Sequence, residues 1–235
     1  MTETQEKRTK IFGTSDRVEL LATIVLALAA IFTAWAAFES AKWSGEQATS
    51  FSRAGATRTE STRFDTRAGQ LAGVDVAIYT SWLDAFNSDR NDGLISFAPG
   101  DLYEPTEGTL SGFLFERMRP EFAPAMNAWV VALSEDQETA PPTPFAMEEY
   151  VLADSLEASR LQQQADDFAA EAGQANQNSD DYVLTVVAFA LVLFFIGVSS
   201  KLNNSRNSLL AVIIATVMFI GTTIVLFSLP KIWPF

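Results

Sequence analysis

The sequence contains neither cysteine nor histidine among its 235 residues. Disulfides, thiol nucleophiles, imidazole bases and ordinary zinc sites are therefore excluded. The formal net charge is −13, and an acidic chain without clustered lysine and arginine is not expected to bind nucleic acid. We therefore expect a protein that is not an enzyme and that carries no cofactor or metal ion.

Three long apolar segments stand out against this acidic background. They occupy residues 18–39, 182–200 and 208–229, and residues 20–38 include no ionisable side chain. Segments of ~20 apolar residues are long enough to cross a hydrocarbon core of ~30 Å, so we predict three transmembrane helices. The first segment could instead be a signal peptide, since Ala34-Trp35-Ala36 resembles a cleavage site. Its apolar run exceeds the ~7–15 residues typical of a signal core, which favours an uncleaved anchor.

The positions of basic residues predict the orientation of these helices. Four basic residues precede the first segment, and Lys201 and Arg206 lie between the second and the third. Because lysine and arginine are retained on the cytoplasmic side, the N-terminus is predicted to be cytoplasmic in a bacterial inner membrane. The predicted regions are a cytoplasmic tail (1–17), transmembrane helix 1 (18–39), an extracytoplasmic domain (40–181), transmembrane helix 2 (182–200), a cytoplasmic loop (201–207), transmembrane helix 3 (208–229) and an extracytoplasmic, periplasmic tail (230–235).

The extracytoplasmic domain is predicted to be helical. Its segments 40–86 and 145–181 lack proline and are each predicted to form a long helix, whereas residues 87–144 are rich in turn residues. Within that middle part, LSGFLFERMRPEF and APAMNAWVVAL are predicted to form short helices. The fold class is thus an all-α membrane protein with three transmembrane helices, whose α-helical extracytoplasmic domain is built on a long antiparallel helix pair continuous with the first two.

Heptad spacing predicts the contact faces of this coiled-coil-like pair. In the first long helix the two series are Trp43, Ser50, Thr57, Phe64, Leu71, Ile78 and Ala85, and Glu39, Glu46, Arg53, Glu60, Arg67, Val74 and Ser81. In the second they are Val151, Ala158, Ala165, Ala172 and Ser179, and Asp154, Leu161, Phe168, Ala175 and Tyr182. The alanine-rich series predicts that another helix backbone approaches closely.

Opposite charges on the two helices predict ion pairs between them. Residues 42–67 carry five bases, whereas residues 148–181 carry nine acids and one base. In an antiparallel pair Arg53 would face residues 166–171, and Arg63 and Arg67 would face Glu157 and Asp154. Exposed pairs contribute only ~0–1 kcal/mol each, so they would set the register more than the stability. The candidate interface residues are Glu46, Arg53, Arg58, Glu60, Arg63, Arg67, Glu157, Asp166, Asp167 and Glu171.

A group of hydroxyl side chains on the first long helix is left without an assigned role. Its members are Thr49, Ser52, Thr59, Ser61, Thr62 and Thr66. They are consistent with plain solvent exposure, with a hydrated contact between neighbouring subunits, or with the wall of an aqueous vestibule above a pore. Small residues spaced by four in the first apolar segment likewise permit packing within the chain or between subunits.

Two acidic motifs were weighed as chemical sites. The stretch DRNDG (89–93) resembles the start of a calcium loop, but its glycine falls at the fifth position rather than the sixth and no glutamate follows at the twelfth. A turn that ends a helix is favoured there. Adjacent acids such as Asp166 and Asp167 do not face each other on a helix, so a solvated face is favoured over acid–base chemistry.

Several stretches resemble one family of proteins. They are AFESAKWSGEQA (37–48), RMRPEFAPAMNAW (117–129), PPTPFAMEEY (141–150) and NQNSDDYVLTVVAFALVLFFIGVS (176–199). In this order they resemble a family of uncharacterised bacterial three-span membrane proteins, and the resemblance implies a bacterial membrane location but no activity.

The expected function is a non-enzymatic one, as a homo-oligomeric scaffold, accessory subunit or sensor. The expected partners are the lipid bilayer and either further copies of the chain or another membrane protein. The alternative is an oligomeric ion channel whose vestibule is formed by the polar helices. Its pore would be lined by Thr185, Thr216, Thr222, Thr223 or apolar side chains, since the apolar segments offer no charged residue for ion coupling.

Overall fold

The computed structural model describes residues 14–96, 103–136, 138–202 and 204–232, and within these ranges the chain forms helices and no strand. The elements are α1 (Thr14–Asn91), α2 (Leu110–Phe115), α3 (Ala123–Glu135), a 3₁₀ turn (Pro144–Ala146), α4 (Ala153–Ser199) and α5 (Ser205–Ser228). The predicted all-helical class is confirmed.

Three of these helices are long and apolar enough to cross a membrane. The most apolar windows of α1, α4 and α5 have mean hydropathies of 2.3, 2.5 and 2.7. Each window holds at most two charged residues, so few charges would enter the lipid. A helix also satisfies its own backbone hydrogen bonds there. The three predicted apolar segments are therefore helical, as expected of a multi-pass membrane protein.

The contacts within the chain define two compact units. Unit 1 comprises residues 1–53 and 167–235, and unit 2 comprises residues 54–166. The predicted domain limits at residues 40 and 181 come from hydropathy and charge rather than from contacts, and they stay a prediction.

Unit 1 packs its apolar helices around Phe32. The Phe32 ring stacks on Phe219 with centroids 5.7 Å apart, meets Phe227 edge-on at 5.8 Å and lies 5.9 Å from Phe189. Ala29 and the other buried alanines of this core are small and leave room for the rings. In lipid, van der Waals packing of this kind is a main source of helix association, because the tails are as apolar as the side chains.

Unit 2 is held by a cluster of aromatic and methionine side chains. Tyr79 and Trp82 of α1 pack with Tyr103, with Phe122 and with Trp129 of α3. Several rings meet edge-on, among them Tyr79 and Trp129 with centroids 5.6 Å apart. Such pairs contribute ~0.5–1.5 kcal/mol beyond the area they bury, so this cluster is the main source of cohesion in unit 2.

Two predicted helix limits are wrong. The segment predicted as helical from residue 145 contains the 3₁₀ turn, and α4 begins only at Ala153. The cause is tertiary: Phe145 and Tyr150 turn their rings into the aromatic cluster, with centroids 5.2 Å apart, and a straight helix would separate them. The helix predicted at LSGFLFERMRPEF ends at Phe115 and a turn follows, while Pro120 disfavours helical geometry at the residue before it.

One of the two predicted series on α1 is displaced by one residue. The series through Thr57, Phe64 and Leu71 is half-buried as predicted, but the charged series that accompanies it lies largely outside the contact. In unit 2 the buried series that lies beside the first one is Ala54, Ser61, Ala68, Asp75, Trp82 and Asp89, of which the first five each lie one residue after a position of the predicted charged series. The shift has a physical reason, since a seam at Arg53, Glu60 and Arg67 would strip water from three charged groups.

The face of α4 agrees with its prediction except at Val151, which is exposed and precedes the helix. In unit 2 the buried residues are Ala158, Leu161 and Ala165, and in unit 1 Ala172 and Ala175 are buried. This face follows from alanine and leucine at alternating spacings of three and four, and the charged Asp154 at its start is half-buried.

The corrected face of α1 predicts that a larger side chain at Ala68 destabilises the fold. Ala68 is 4% exposed, so Ala68→Leu should overpack the contact and lower the free energy of unfolding by ~1–3 kcal/mol. Denaturant unfolding of the full chain in detergent, followed by near-ultraviolet circular dichroism, measures this change.

The matched control is Ala56→Leu, because Ala56 lies on the same helix and is exposed. We expect a change within ~0.5 kcal/mol for that variant. Equal effects of the two variants would contradict the burial of this face.

Candidate functional site

The candidate site has two parts within unit 2: the ion pairs that join α1 to α4, and a buried carboxylate at Asp75. Arg58 Nη2 lies 2.9 Å from Asp166 Oδ1, and the guanidinium of Arg67 donates to both carboxylate oxygens of Asp154. The hydrogen bond from Arg67 lowers the pKa of Asp154 below its ordinary value. In these two pairs the residue number on α4 decreases as the residue number on α1 increases.

Between these two ion pairs, a hydroxyl contacts the opposite backbone. The Ser61 Oγ donates to the carbonyl oxygen of Ala158 at 2.7 Å, and Ser61 is 6% exposed. A serine side chain has one rotatable bond before its hydroxyl, so the two helices must be close together here. Among the serines and threonines that the sequence left without an assigned role, Ser61 is the one with a buried partner on another helix within the described residues.

Two of the predicted charge partners are different in the structure. Arg63 was expected to face Glu157, but it pairs with Glu60 three residues earlier at 2.8 Å, while Glu157 pairs with Arg160 at 2.6 Å. Residues three apart are neighbours on a helix surface, so these exposed side chains find partners on their own helix. Each such pair contributes ~0.2–0.5 kcal/mol and carries no information about the contact between helices.

The remaining candidate charges are exposed and have no ion pair. Within the ranges that the structure describes, Glu46, Arg53, Asp167 and Glu171 make no salt bridge, and all four are exposed. They belong to unit 1, which has a band of unpaired charge of both signs. We call these four residues the charged band.

The exposed hydroxyls are turned back on their own helix. Thr49, Thr59, Thr62 and Thr66 each donate to the carbonyl oxygen four residues earlier, at 2.8–3.0 Å. A threonine bonded in this way has used its one hydroxyl hydrogen, while its oxygen can still accept a hydrogen bond. This geometry is the usual one for threonine within a helix and needs no partner.

The second part of the site was missed by the sequence analysis. Asp75 is completely buried, and its two oxygens accept three hydrogen bonds: from Arg119 Nε at 3.0 Å, from Arg119 Nη2 at 3.2 Å and from the Tyr150 hydroxyl at 3.1 Å. Arg119 also pairs with Glu121 at 2.9 Å. Burial, followed by the charge of Asp75, raises the pKa of Tyr150 to about 12.

A signal for this site was present in the sequence. Asp75 interrupts the otherwise apolar run LAGVDVAIY, and it lies seven residues from Ala68 and from Trp82 on what proves to be the buried face. An acid at such a position requires a basic partner, and Arg119 supplies it from the turn that follows α2. A correct assignment of the buried series would have exposed the need for a partner, although not its identity.

Unit 1 contains a separate group of polar contacts. Glu39 is 2% exposed, and its Oε2 accepts from the backbone nitrogen of Ile232 at 3.3 Å. The carbonyl of Pro230 accepts from Trp43 Nε1 at 3.1 Å and from the Tyr182 hydroxyl at 3.0 Å. These contacts fasten the segment after α5 to α1 and α4. Trp233, in the predicted extracytoplasmic tail, lies outside the described residues.

Chemically, these arrangements support recognition and structure. The Asp75 carboxylate has no exposed surface and its oxygens are occupied, so it is not free to accept a proton from a substrate. Among the described residues, no group of three or more aspartates and glutamates is placed to hold a metal ion. Comparison with models of protein families, with curated proteins and with solved structures gave no match.

The buried ion pair predicts a large effect of Arg119→Leu. The variant leaves the Asp75 charge buried with Tyr150 as its remaining donor, and breaking a buried pair from one side costs ~3–5 kcal/mol. Denaturant unfolding of the full chain in detergent measures the loss.

Arg117→Leu is the matched control, since Arg117 is two residues away and exposed. Arg117 lies over the ring of Phe113 at 3.4 Å from the centroid, so we expect a loss of ~1 kcal/mol or less. A loss for Arg119→Leu no greater than that of the control would refute the role of the buried pair.

The raised pKa of Tyr150 predicts an alkaline weakening of unit 2. The unfolded phenol ionises near pH ~10 and the folded one near about 12, so the folded state holds more protons in between. This contribution is therefore full below pH ~10 and is lost as the pH rises to ~12. Unfolding of the full chain across this range should show the decline, and Tyr150→Phe should reduce it.

Tyr103→Phe serves as the comparison, because burial also raises the pKa of Tyr103. We expect it to leave the Tyr150 part of the decline in place. An unchanged pH profile in Tyr150→Phe would rule out this assignment.

Proposed function

We propose that the chain is a non-enzymatic bacterial inner-membrane protein that self-associates and serves as a scaffold, accessory subunit or sensor. The observation that carries the proposal is the charged band, in which Glu46, Arg53, Asp167 and Glu171 are exposed and unpaired. The band holds three acids and one base, so in a two-fold contact the single arginine of each copy, Arg53, would meet a carboxylate of the other copy. Charge complementarity of this kind fixes register and partner choice more than affinity.

The proposed framework is an antiparallel pair formed by the polar parts of α1 and α4. Its support comes from three contacts, in which Arg58, Ser61 and Arg67 meet Asp166, Ala158 and Asp154 in descending order. Such a pair is a stiff element suited to holding an interaction surface away from lipid.

The proposed orientation places the N-terminus in the cytoplasm and the acidic domain in the periplasm. Its support is the distribution of basic residues, four before the first apolar segment and two in the loop between α4 and α5. The resemblance of the chain to bacterial three-span membrane proteins favours the same bacterial membrane location. The nine basic and 24 acidic residues of segment 40–181 fit a translocated domain.

The alternative of an ion channel receives less support. Thr185, which could line a pore, is 3% exposed and so presents no surface to a lumen formed between copies. Thr216 is half-buried, and its hydroxyl donates to the carbonyl oxygen of Val212 at 2.8 Å. Conductance in planar bilayers together with a hydrated axis would favour the channel over the scaffold.

A cysteine experiment tests orientation and self-association together, because the natural chain has no cysteine. Ser52→Cys is nearly isosteric and places a thiol on an exposed position within the span of the charged band. In intact cells stripped of their outer membrane, we expect a membrane-impermeant thiol reagent to label it. We also expect an impermeant bifunctional reagent to link two copies.

Two controls sharpen the result. Ser200→Cys is exposed at the predicted cytoplasmic end of the second apolar segment and should react only after lysis. In the Ser52→Cys background, neutralising Glu46, Arg53, Asp167 and Glu171 should abolish the link. Neutralising the exposed set Glu104, Glu107, Glu116 and Arg117, which removes the same charges, should leave it intact.

The outcomes distinguish the parts of the proposal. Labelling of Ser52→Cys only after lysis would reverse the orientation. Labelling without covalent dimers, or dimers that persist when the band is neutralised, would remove self-association through the charged band.

A further inference from the structure

Unit 1 contains a groove between the ends of its three apolar helices. It is lined by the first turns of the apolar part of α1, the last turns of α4 and the first turns of α5, and its volume is about 620 Å³. The walls are largely apolar, with Ala22, Leu26, Ile196 and Val212 among the lining residues. The volume lies within the ~300–1,000 Å³ typical of ligand pockets.

Three basic residues lie next to lining residues of the groove along the chain. Arg17 precedes the lining residue Val18, and Lys201 lies between the lining residues Ser200 and Leu202. Arg206 stands in the first turn of α5, two residues before the groove wall resumes. All three bases are exposed, and none forms a salt bridge in the part of the chain that the structure describes.

The start of α5 adds to this positive character. The side chain of Asn204 caps the helix by accepting from the backbone nitrogen of Arg206 at 3.0 Å. The partial positive charge of a helix N-terminus favours an anion in the same place as the three bases. One acid, Glu19, also lines the groove. Its single negative charge does not offset the three bases, so the net charge at the mouth stays positive.

We propose that this groove binds an anionic phospholipid from the surrounding bilayer. One acyl chain lies along the apolar walls, and the phosphate lies among Arg17, Lys201 and Arg206. Basic residues beside clefts between transmembrane helices are a recognised setting for anionic headgroups, each base adding to the affinity for an anionic surface. The inference goes beyond the proposed function and does not depend on it, since the charged band belongs to other residues.

Charge also argues against other occupants. A second copy of the chain seated here would bring its own three bases to the same mouth, and like charges would repel. A free headgroup would leave the apolar walls exposed. A lipid satisfies both features, because its chain and its phosphate match the wall and the mouth of the groove.

The inference is tested by lipid binding to the full chain purified in detergent and stripped of lipid. Native mass spectrometry with added phosphatidylglycerol or phosphatidylcholine of identical chains measures retained lipid. We expect phosphatidylglycerol to be retained preferentially. Neutralising the bases as Arg17→Gln, Lys201→Gln and Arg206→Gln should weaken that binding about tenfold or more, while Glu19→Gln should strengthen it.

Matched controls separate the groove from general charge effects. Neutralising Lys42, Arg90 and Lys231, which lie beyond the other ends of the apolar segments, removes the same charge and should leave binding unchanged. Gly197→Phe should fill the groove, because a Cβ at Gly197 meets no atom within 4 Å and this residue lines the groove. Gly221→Phe is its control, since Gly221 has equal room but lies outside the groove.

The inference is overturned by any of three results. The first is equal retention of the two lipids by the natural chain. The second is unchanged binding in the triple neutralised variant. The third is full competition by glycerol phosphate together with unaltered binding by Gly197→Phe, which would make the site a phosphate site on the surface.

Discussion

The short contact between the Ser61 hydroxyl and the Ala158 carbonyl, at 2.7 Å, is the constraint on which the rest of unit 2 depends. It requires that α1 and α4 come close together, and the small buried side chains Ala54, Ala68 and Ala165 permit this approach. At such a separation, arginine side chains placed beside the contact reach carboxylates on the other helix. The ion pairs of unit 2 are therefore a consequence of small residues, and they select a register that the small residues alone would leave open.

The same closeness explains the need for Asp75. Where α1 leaves its run of alanine and serine, the buried face continues into Asp75, Trp82 and the aromatic cluster. A buried carboxylate is costly unless it is paired, and its pairing to Arg119 and Tyr150 binds two irregular segments to one point of α1. An apolar residue could fill this space, but it would not specify which turn docks there. We infer that the carboxylate makes the connecting segments adopt one arrangement.

The sequence was informative where a single property determines structure. Apolar length identified the three membrane-crossing helices, and the alanine repeat of α4 identified its buried face. It was less informative on α1, where an apolar series at Phe64 and Leu71 has charged residues on one side and small residues on the other. The charged companion was the one predicted, and the desolvation of Arg53 and Glu60 decides against it. The Asp75–Arg119 pair could not be predicted, because it joins residues 44 apart through a turn whose path no local pattern specifies.

The polar contacts of unit 1 explain why a groove can persist between its helices. Beyond one end of the apolar helices, Trp43 and Tyr182 hold Pro230, and Glu39 holds Ile232. At the other end, the Ser208 hydroxyl donates to the carbonyl of Ser199 at 2.9 Å and ties the start of α5 to the end of α4. Helices fastened in this way cannot readily slide together to close a gap between them. A gap maintained by such contacts can receive a ligand without repacking. Binding is favoured because the protein loses little conformational entropy when the ligand enters.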